Sequence, residues 1–148
     1  MSTLTESGSG TALAKRLERI RMASFGALTM LILQSVIGTA YNLYGTAPTS
    51  AKPVDPGSSS LLIIHSILGI LLVIAAGVLV FRAVQAKSRP VLATSIVGLV
   101  AIIGAGIAGS AFTRNGASGA SLGMAIAAAV AMLCYAANLV IPLGKRQG

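Results

Sequence analysis

The stretch LLIIHSILGILLVIAAGVLV, residues 61–80, decides the fold. It contains no Asp, Glu, Lys or Arg over 20 residues. As an α-helix rising about 1.5 Å per residue, it covers about 30 Å, the thickness of the hydrocarbon core of a bilayer. Apolar residues occupy every side of such a helix, so it has no face for water. It reads as a membrane-spanning helix from Leu61 to about Val84, closed by the basic residues Arg82, Lys87 and Arg89.

Three further runs of the same kind lie on either side. Upstream, Met22 to Tyr44 carries no charge, and Tyr41 and Tyr44 sit at its far end, where amphipathic rings favour an interface. Downstream, uncharged runs cover Val91 to about Phe112 and about Ala120 to Leu143. Pro90 suits the first turn of the third helix, where a missing N–H costs nothing. The expected fold class is therefore an all-α integral membrane protein, a bundle of four transmembrane helices over about 22–44, 61–84, 91–112 and 120–143. The composition agrees. Hydrophobic residues make up 55% of the chain and charged residues 9%, against about 25% charged in an ordinary soluble domain. So few charges cannot cover a water-facing surface, and the bilayer is the expected partner.

The segments between the runs are loops by composition. GTAPTSAKPVDPGSSS (45–60) holds three prolines and two glycines, and TRNGASG (113–119) is short and polar. Residues 1–12 (MSTLTESGSGTA) are rich in Ser, Thr and Gly and are expected to form a disordered tail. LAKRLERIR (13–21) then reads as a short basic helix start at the membrane surface.

The net charge is +8. A nucleic-acid footprint needs basic residues clustered on a folded polar surface. Here they fall in short runs between apolar stretches, which is how topology determinants are placed. Lys15, Arg16, Arg19 and Arg21, then Arg82, Lys87 and Arg89, then Lys145 and Arg146 all lie on one side of the helices, and the other side has Lys52 and Arg114. The positive-inside rule puts the first side, and both termini, in the cytoplasm of a cell (plasma or inner) membrane protein. Gly38 and Ala40 before Tyr41 also fit a cleaved signal peptide. The first run exceeds the usual apolar region of about 7–15 residues, which favours an uncleaved helix.

Helices in lipid associate where small residues let backbones approach. The third helix has Ala101, Ala105 and Gly109 at i, i+4, and a second ladder of Gly98, Gly106 and Ser110. The fourth has Gly123, Ala127 and Ala131. These faces are expected to meet other helices, in this chain or in a neighbour. The absence of Asp, Glu, Lys and Arg away from the helix ends argues against a proton- or ion-coupled transporter, which needs an intramembrane ionisable group. Glu6, Glu18 and Asp55 lie outside the four runs, and paired carboxylates, a Ser/His/Asp set and a phosphate loop are missing, so an enzyme is not expected. GAGIAG (104–109) has the spacing of a dinucleotide fingerprint but no strand before it. Cys134, the one cysteine, has no Cys or His neighbour at metal spacing and reads as a small buried residue.

The polar residues that remain are Gln34, Gly38 and Asn42 at i, i+4 on the first helix, and His65 on the second. His65 lies about 6 Å inside the helix end, level with Ala40–Tyr41, Gly109 and Gly123–Met124. Such a layer could seat a flat ligand. Alternatively, His65 hydrogen-bonds Asn42, Tyr41 or the nearby loop. LQSVIGTAYNL (33–43), a proline-containing loop and HSILGILLVIAAGVLVFRA (65–83) together resemble one four-helix half of heme A synthase. The resemblance implies that Gln34 and Gly38 match that family's helix motif and that His65 is an axial haem ligand. The family's second histidine, from the fourth helix, is absent here, which leaves Met124 or Met132, a five-coordinate haem, a haem shared across a dimer, or no haem. Its acidic catalytic residue has no match either, so the resemblance does not carry over its activity.

Two functions follow as expectations. The first is a non-enzymatic accessory or scaffold subunit, acting through contacts with other membrane proteins or by self-association. The second is a haem- or quinone-binding electron-transfer bundle using His65, with Met124, Gln34 and Asn42 around the cofactor. The orientation has a direct test. A membrane-impermeant thiol reagent added outside should label a cysteine at Ser58 or Gly116 and spare one at Ser9 or Gln147; the reverse pattern would contradict the cytoplasmic termini.

Overall fold

A computed structural model describes residues 3–144. It is built from α1 (Thr3–Tyr44), α2 (Ser60–Gln85), α3 (Arg89–Asn115) and α4 (Ser118–Gly144), with a single 3₁₀ turn, Pro56–Ser58, before α2. All four helices are long and apolar enough to cross a membrane. The last three begin and end within three residues of the expected bounds. The first differs. It is helical from Thr3, through the stretch expected to be a tail; Met1 and Ser2 lie outside the described residues. No proline interrupts 3–21, and a helix already nucleated downstream gains one hydrogen bond for each residue added, so Gly8 and Gly10 weaken the extension without ending it.

Each helix packs on its sequence neighbours, and α1 also packs on α4, closing a ring. The α2–α3 and α3–α4 connections span only 86–88 and 116–117, so consecutive helices run antiparallel. The basic residues of α1 and of the α2–α3 turn share one end of the ring: Arg16 Nη1 donates to the carbonyl of Gln85 at 3.0 Å, and Arg82 Nη1 to that of Arg19 at 3.5 Å. Lys145 and Arg146 lie outside the described residues. At the other end the 45–59 loop folds across the bundle, where the Val54 N–H donates to the carbonyl of Thr113 at 3.0 Å and Pro48 is buried.

The buried residues reveal a period that the sequence hides. On α1 they are Ile20, Ser24, Ala27 and Leu31; on α2, Leu72, Ala76, Leu79 and Ala83; on α3, Val91, Ser95, Gly98 and Ile102; on α4, Ala131, Tyr135 and Asn138. The steps alternate four and three, the seven-residue repeat of a left-handed bundle. Small residues fill much of this seam, and large ones such as Phe25, Ile70, Phe81, Ile107 and Leu133 point outward. Most of the fully buried residues lie at the basic end; toward the loop end they are few, Tyr41 and Leu62 among them.

The ladders divide accordingly. Ala101, Ala105 and Gly109, and Gly123 and Ala127, are half-buried, and Ala131 is fully buried. In the second α3 ladder Gly98 is buried, but Gly106 and Ser110 are exposed. A strict four-residue spacing drifts off the inner face of the helix, whereas the alternating step stays on it.

Gly116 ends α3 with φ 64°, and its N–H donates to the carbonyl of Phe112 at 2.8 Å. The Pro48 carbonyl occupies the place a Cβ would need. Gly116→Ala should therefore cost about 1–2 kcal/mol from the left-handed backbone alone, and more from the contact. Gly116 is thus unsuited to a cysteine probe, and Ser58 carries the outside label. In detergent melts, Ala131→Leu should cost about 1–3 kcal/mol by overpacking, while Gly104→Leu, with nothing within 4 Å of its Cβ, should leave the midpoint unchanged.

Candidate functional site

The site proposed from sequence lies on the seam between α1 and α2. Gln34 and Gly38 are four residues apart on α1, and His65 and Gly69 are four apart on α2. Because the helices are antiparallel, the pairs meet reciprocally, each polar side chain on the facing glycine. A Cβ on Gly38 would stand 3.1 Å from Cε1 of His65, and one on Gly69 would stand 3.2 Å from Nε2 of Gln34. Gln34 Nε2 also donates to the backbone carbonyl of His65 at 2.9 Å. Nδ1 of His65 and Oε1 of Gln34 are buried without partners. The same register aligns Leu31 with Leu72, Ala27 with Ala76 and Tyr41 with Leu62, so Gln34 and His65 join Ser24 as polar members of one continuous repeat.

The α3–α4 hairpin works in the same way. A Cβ on Gly98 would lie 2.9 Å from the Tyr135 ring, and one on Gly109 would lie 3.1 Å from Sδ of Met124. The two registers pair His65 with Gly38 and Met124 with Gly109, so on α1 the level of His65 falls at Gly38, short of the expected Ala40–Tyr41.

The other proposed residues go elsewhere. Asn42 Nδ2 donates to Ser121 Oγ at 3.3 Å, joining α1 to α4. The Tyr41 hydroxyl donates to the Thr46 carbonyl at 3.0 Å, holding the start of the loop. Met132 packs against the core, and Cys134 is a half-buried free thiol. Of the two positions expected to leave room for a flat ligand, Gly109 seats Sδ of Met124, and a Cβ on Gly123 would stand 3.8 Å from Cβ of Ala108; His65 itself is turned onto Gly38. Among the described residues no three His, Cys, Asp or Glu side chains are grouped to hold a metal ion.

A second polar cluster was missed. Asn138 on α4 is fully buried; its Nδ2 donates to Ser95 Oγ at 3.2 Å, and its Oδ1 accepts from Thr94 Oγ1. Thr94 Oγ1 also lies 3.0 Å from the carbonyl of Pro90. Across a two-residue turn, residues equally far from the turn stand side by side, and Ser95 and Asn138 do so. That spacing was the available signal. Ser24 and Tyr135 are fully buried beside the cluster in register, their hydroxyl oxygens unpartnered. The helices are thus more polar inside than expected.

No protein-family model, curated protein or solved structure matches this chain.

If His65 serves as a packing residue, its shape matters and its nitrogens do not. His65→Phe should then keep the melting midpoint or raise it, because an unpartnered buried nitrogen is removed. His65→Ala should lower the midpoint by opening the space over Gly38. A midpoint lowered as much by Phe as by Ala would show that the imidazole nitrogens carry the role.

Proposed function

We propose that this chain is a multi-pass cell-membrane protein with both termini in the cytoplasm. In this reading it is a non-enzymatic accessory or scaffold subunit, joined to other membrane proteins or to copies of itself by helix–helix contacts. The observation that carries the reading is on α3. Gly106 and Ser110 form a small-residue track one turn apart on the outside of the bundle, with no use inside it. A Cβ on Gly104 or Gly106 would meet nothing within 4 Å, and exposed Val100, Ile103 and Ile107 flank the track. A shallow track between bulky side chains is the surface on which another apolar helix packs closely.

Two features add support. The residues proposed as cofactor ligands are engaged in packing, with His65 on Gly38, Gln34 on Gly69 and Met124 on Gly109. The basic residues gathered at one end fit the positive-inside rule for cytoplasmic termini.

The test is the size of the chain when extracted from its own membranes in a mild detergent. The protein should run well above the mass of a single chain. Gly106→Leu combined with Ser110→Leu should return it to that mass while its helical circular dichroism and melting midpoint persist. A wild-type protein already at single-chain mass, or a variant that stays large, would overturn the reading. So would a Soret band in the purified protein that disappears in His65→Ala, because an imidazole-ligated haem would then be its business.

A further inference from the structure

At the basic end a shallow groove of about 310 Å³ lies between α1 and the last turn of α2, lined by Lys15, Glu18, Arg19, Met22, Ala23 and Arg82. Three of these are cations and one is an acid, so the groove carries a surplus of positive charge. It is also built across two helices. Arg82 comes from the last turn of α2 and reaches over to α1, where its Nη1 donates to the Arg19 carbonyl. Arg16, one turn from Arg19, ties the same ends together through the carbonyl of Gln85. The acids of the chain are few, and among the described residues Glu18 is the one that lines the groove.

The lining changes character along the helix axis. Lys15 and Arg19 stand toward the N-terminal side of α1. Met22 and Ala23 follow one turn deeper, where the uncharged run of α1 begins, and Met22 is 68% exposed. Phe81, beside Arg82 on α2, is also exposed, at 63%. A ligand that fits this order has an anionic head and a long apolar body continuing down the outside of the bundle.

We propose that this groove binds the headgroup of an anionic phospholipid of the cytoplasmic leaflet. The phosphate lies between Arg82, Arg19 and Lys15, and one acyl chain runs down past Met22. Basic pockets between helices at the cytoplasmic face recognise lipid headgroups by this combination of charge and adjoining apolar surface. The inference rests on the membrane insertion proposed above and adds to it a specific lipid. The site also joins α1 to α2 at the end where their carbonyls are already bridged by arginines, so a bound lipid would brace that seam.

The experiment uses the full chain incorporated into vesicles of phosphatidylcholine with or without phosphatidylglycerol, followed by detergent extraction and native mass spectrometry of the retained lipid. The wild type should retain phosphatidylglycerol over phosphatidylcholine by about thirtyfold, the ratio expected of two basic groups at a membrane surface. Arg19→Gln combined with Arg82→Gln should lose that preference. Lys87→Gln, a cation of the same end outside the groove, should keep it. Phosphatidylglycerol should also raise the melting midpoint of the wild type and not of the double variant, a readout independent of recovery after extraction. Equal retention of the two lipids by a chain that inserts into both vesicles would overturn the headgroup site and leave the membrane reading standing. Failure to enter phosphatidylcholine vesicles at all would overturn both. Displacement of the lipid by millimolar glycerol phosphate would show a site for free phosphate esters and overturn the assignment to lipid.

Discussion

Close approach of the helix backbones is the constraint on which the rest of this structure depends. The outer surface is already apolar, so burying more apolar area distinguishes poorly between one arrangement of the helices and another. What distinguishes them is how near the backbones can come. Ser24 and Ala27 on α1, Ala76 and Ala83 on α2, Ser95 and Gly98 on α3, and Ala131 on α4 are all buried on the repeat. Where one helix presents glycine, a neighbour fills the space with a larger side chain, as Tyr135 does over Gly98 and His65 over Gly38. Size complementarity of this kind fixes register, because a shift of one residue would set the large side chains against large ones.

Hydrogen bonds then sharpen the register at two levels. Near the basic end Asn138 reaches both Thr94 and Ser95. Near the loop end Gln34 reaches the backbone of His65, and Asn42 reaches Ser121. Bonds of this kind contribute about 0.6 kcal/mol each in membrane bundles, too little to drive association. They are enough to choose between registers that pack equally well. The 45–59 loop closes the far end by seating Pro48 on Gly116, the position where a side chain would be excluded twice, by backbone conformation and by the carbonyl above it.

Much of the fold was legible in the sequence, because an uncharged run of twenty or more residues has few alternatives to a long helix. The four runs, the loops and the gathering of basic residues at one end followed from charge alone. The inward face was harder. Apolar residues surround each helix, so hydrophobic periodicity carried no direction, and the four-residue ladders followed Gly106 and Ser110 outward while the seam continued through Ile102. The neighbours of His65 were not legible, because rise per residue gives a level and not a contact: Gly38 and Gly109 each seat a side chain from the next helix. The Asn138 cluster escaped because Thr94, Ser95 and Asn138 lie far apart in sequence and meet only once the hairpin register is known. The start of α1 at Thr3 was missed because composition was read locally, and a helix extends into weak sequence from a strong neighbour.

The most direct test of this account is a cysteine scan of residues 70–84 on α2, in a Cys134→Ser background and reconstituted in bilayers, with a nitroxide at each position and collision with dissolved oxygen as the readout. Oxygen concentrates in the hydrocarbon and reports the lipid-facing side. The account predicts minima at 72, 76, 79 and 83, the buried positions of α2, and maxima at 70, 74, 78 and 81, where Ile70, Ile74, Val78 and Phe81 face outward. Uniform accessibility along the helix, or minima on the opposite face, would contradict it.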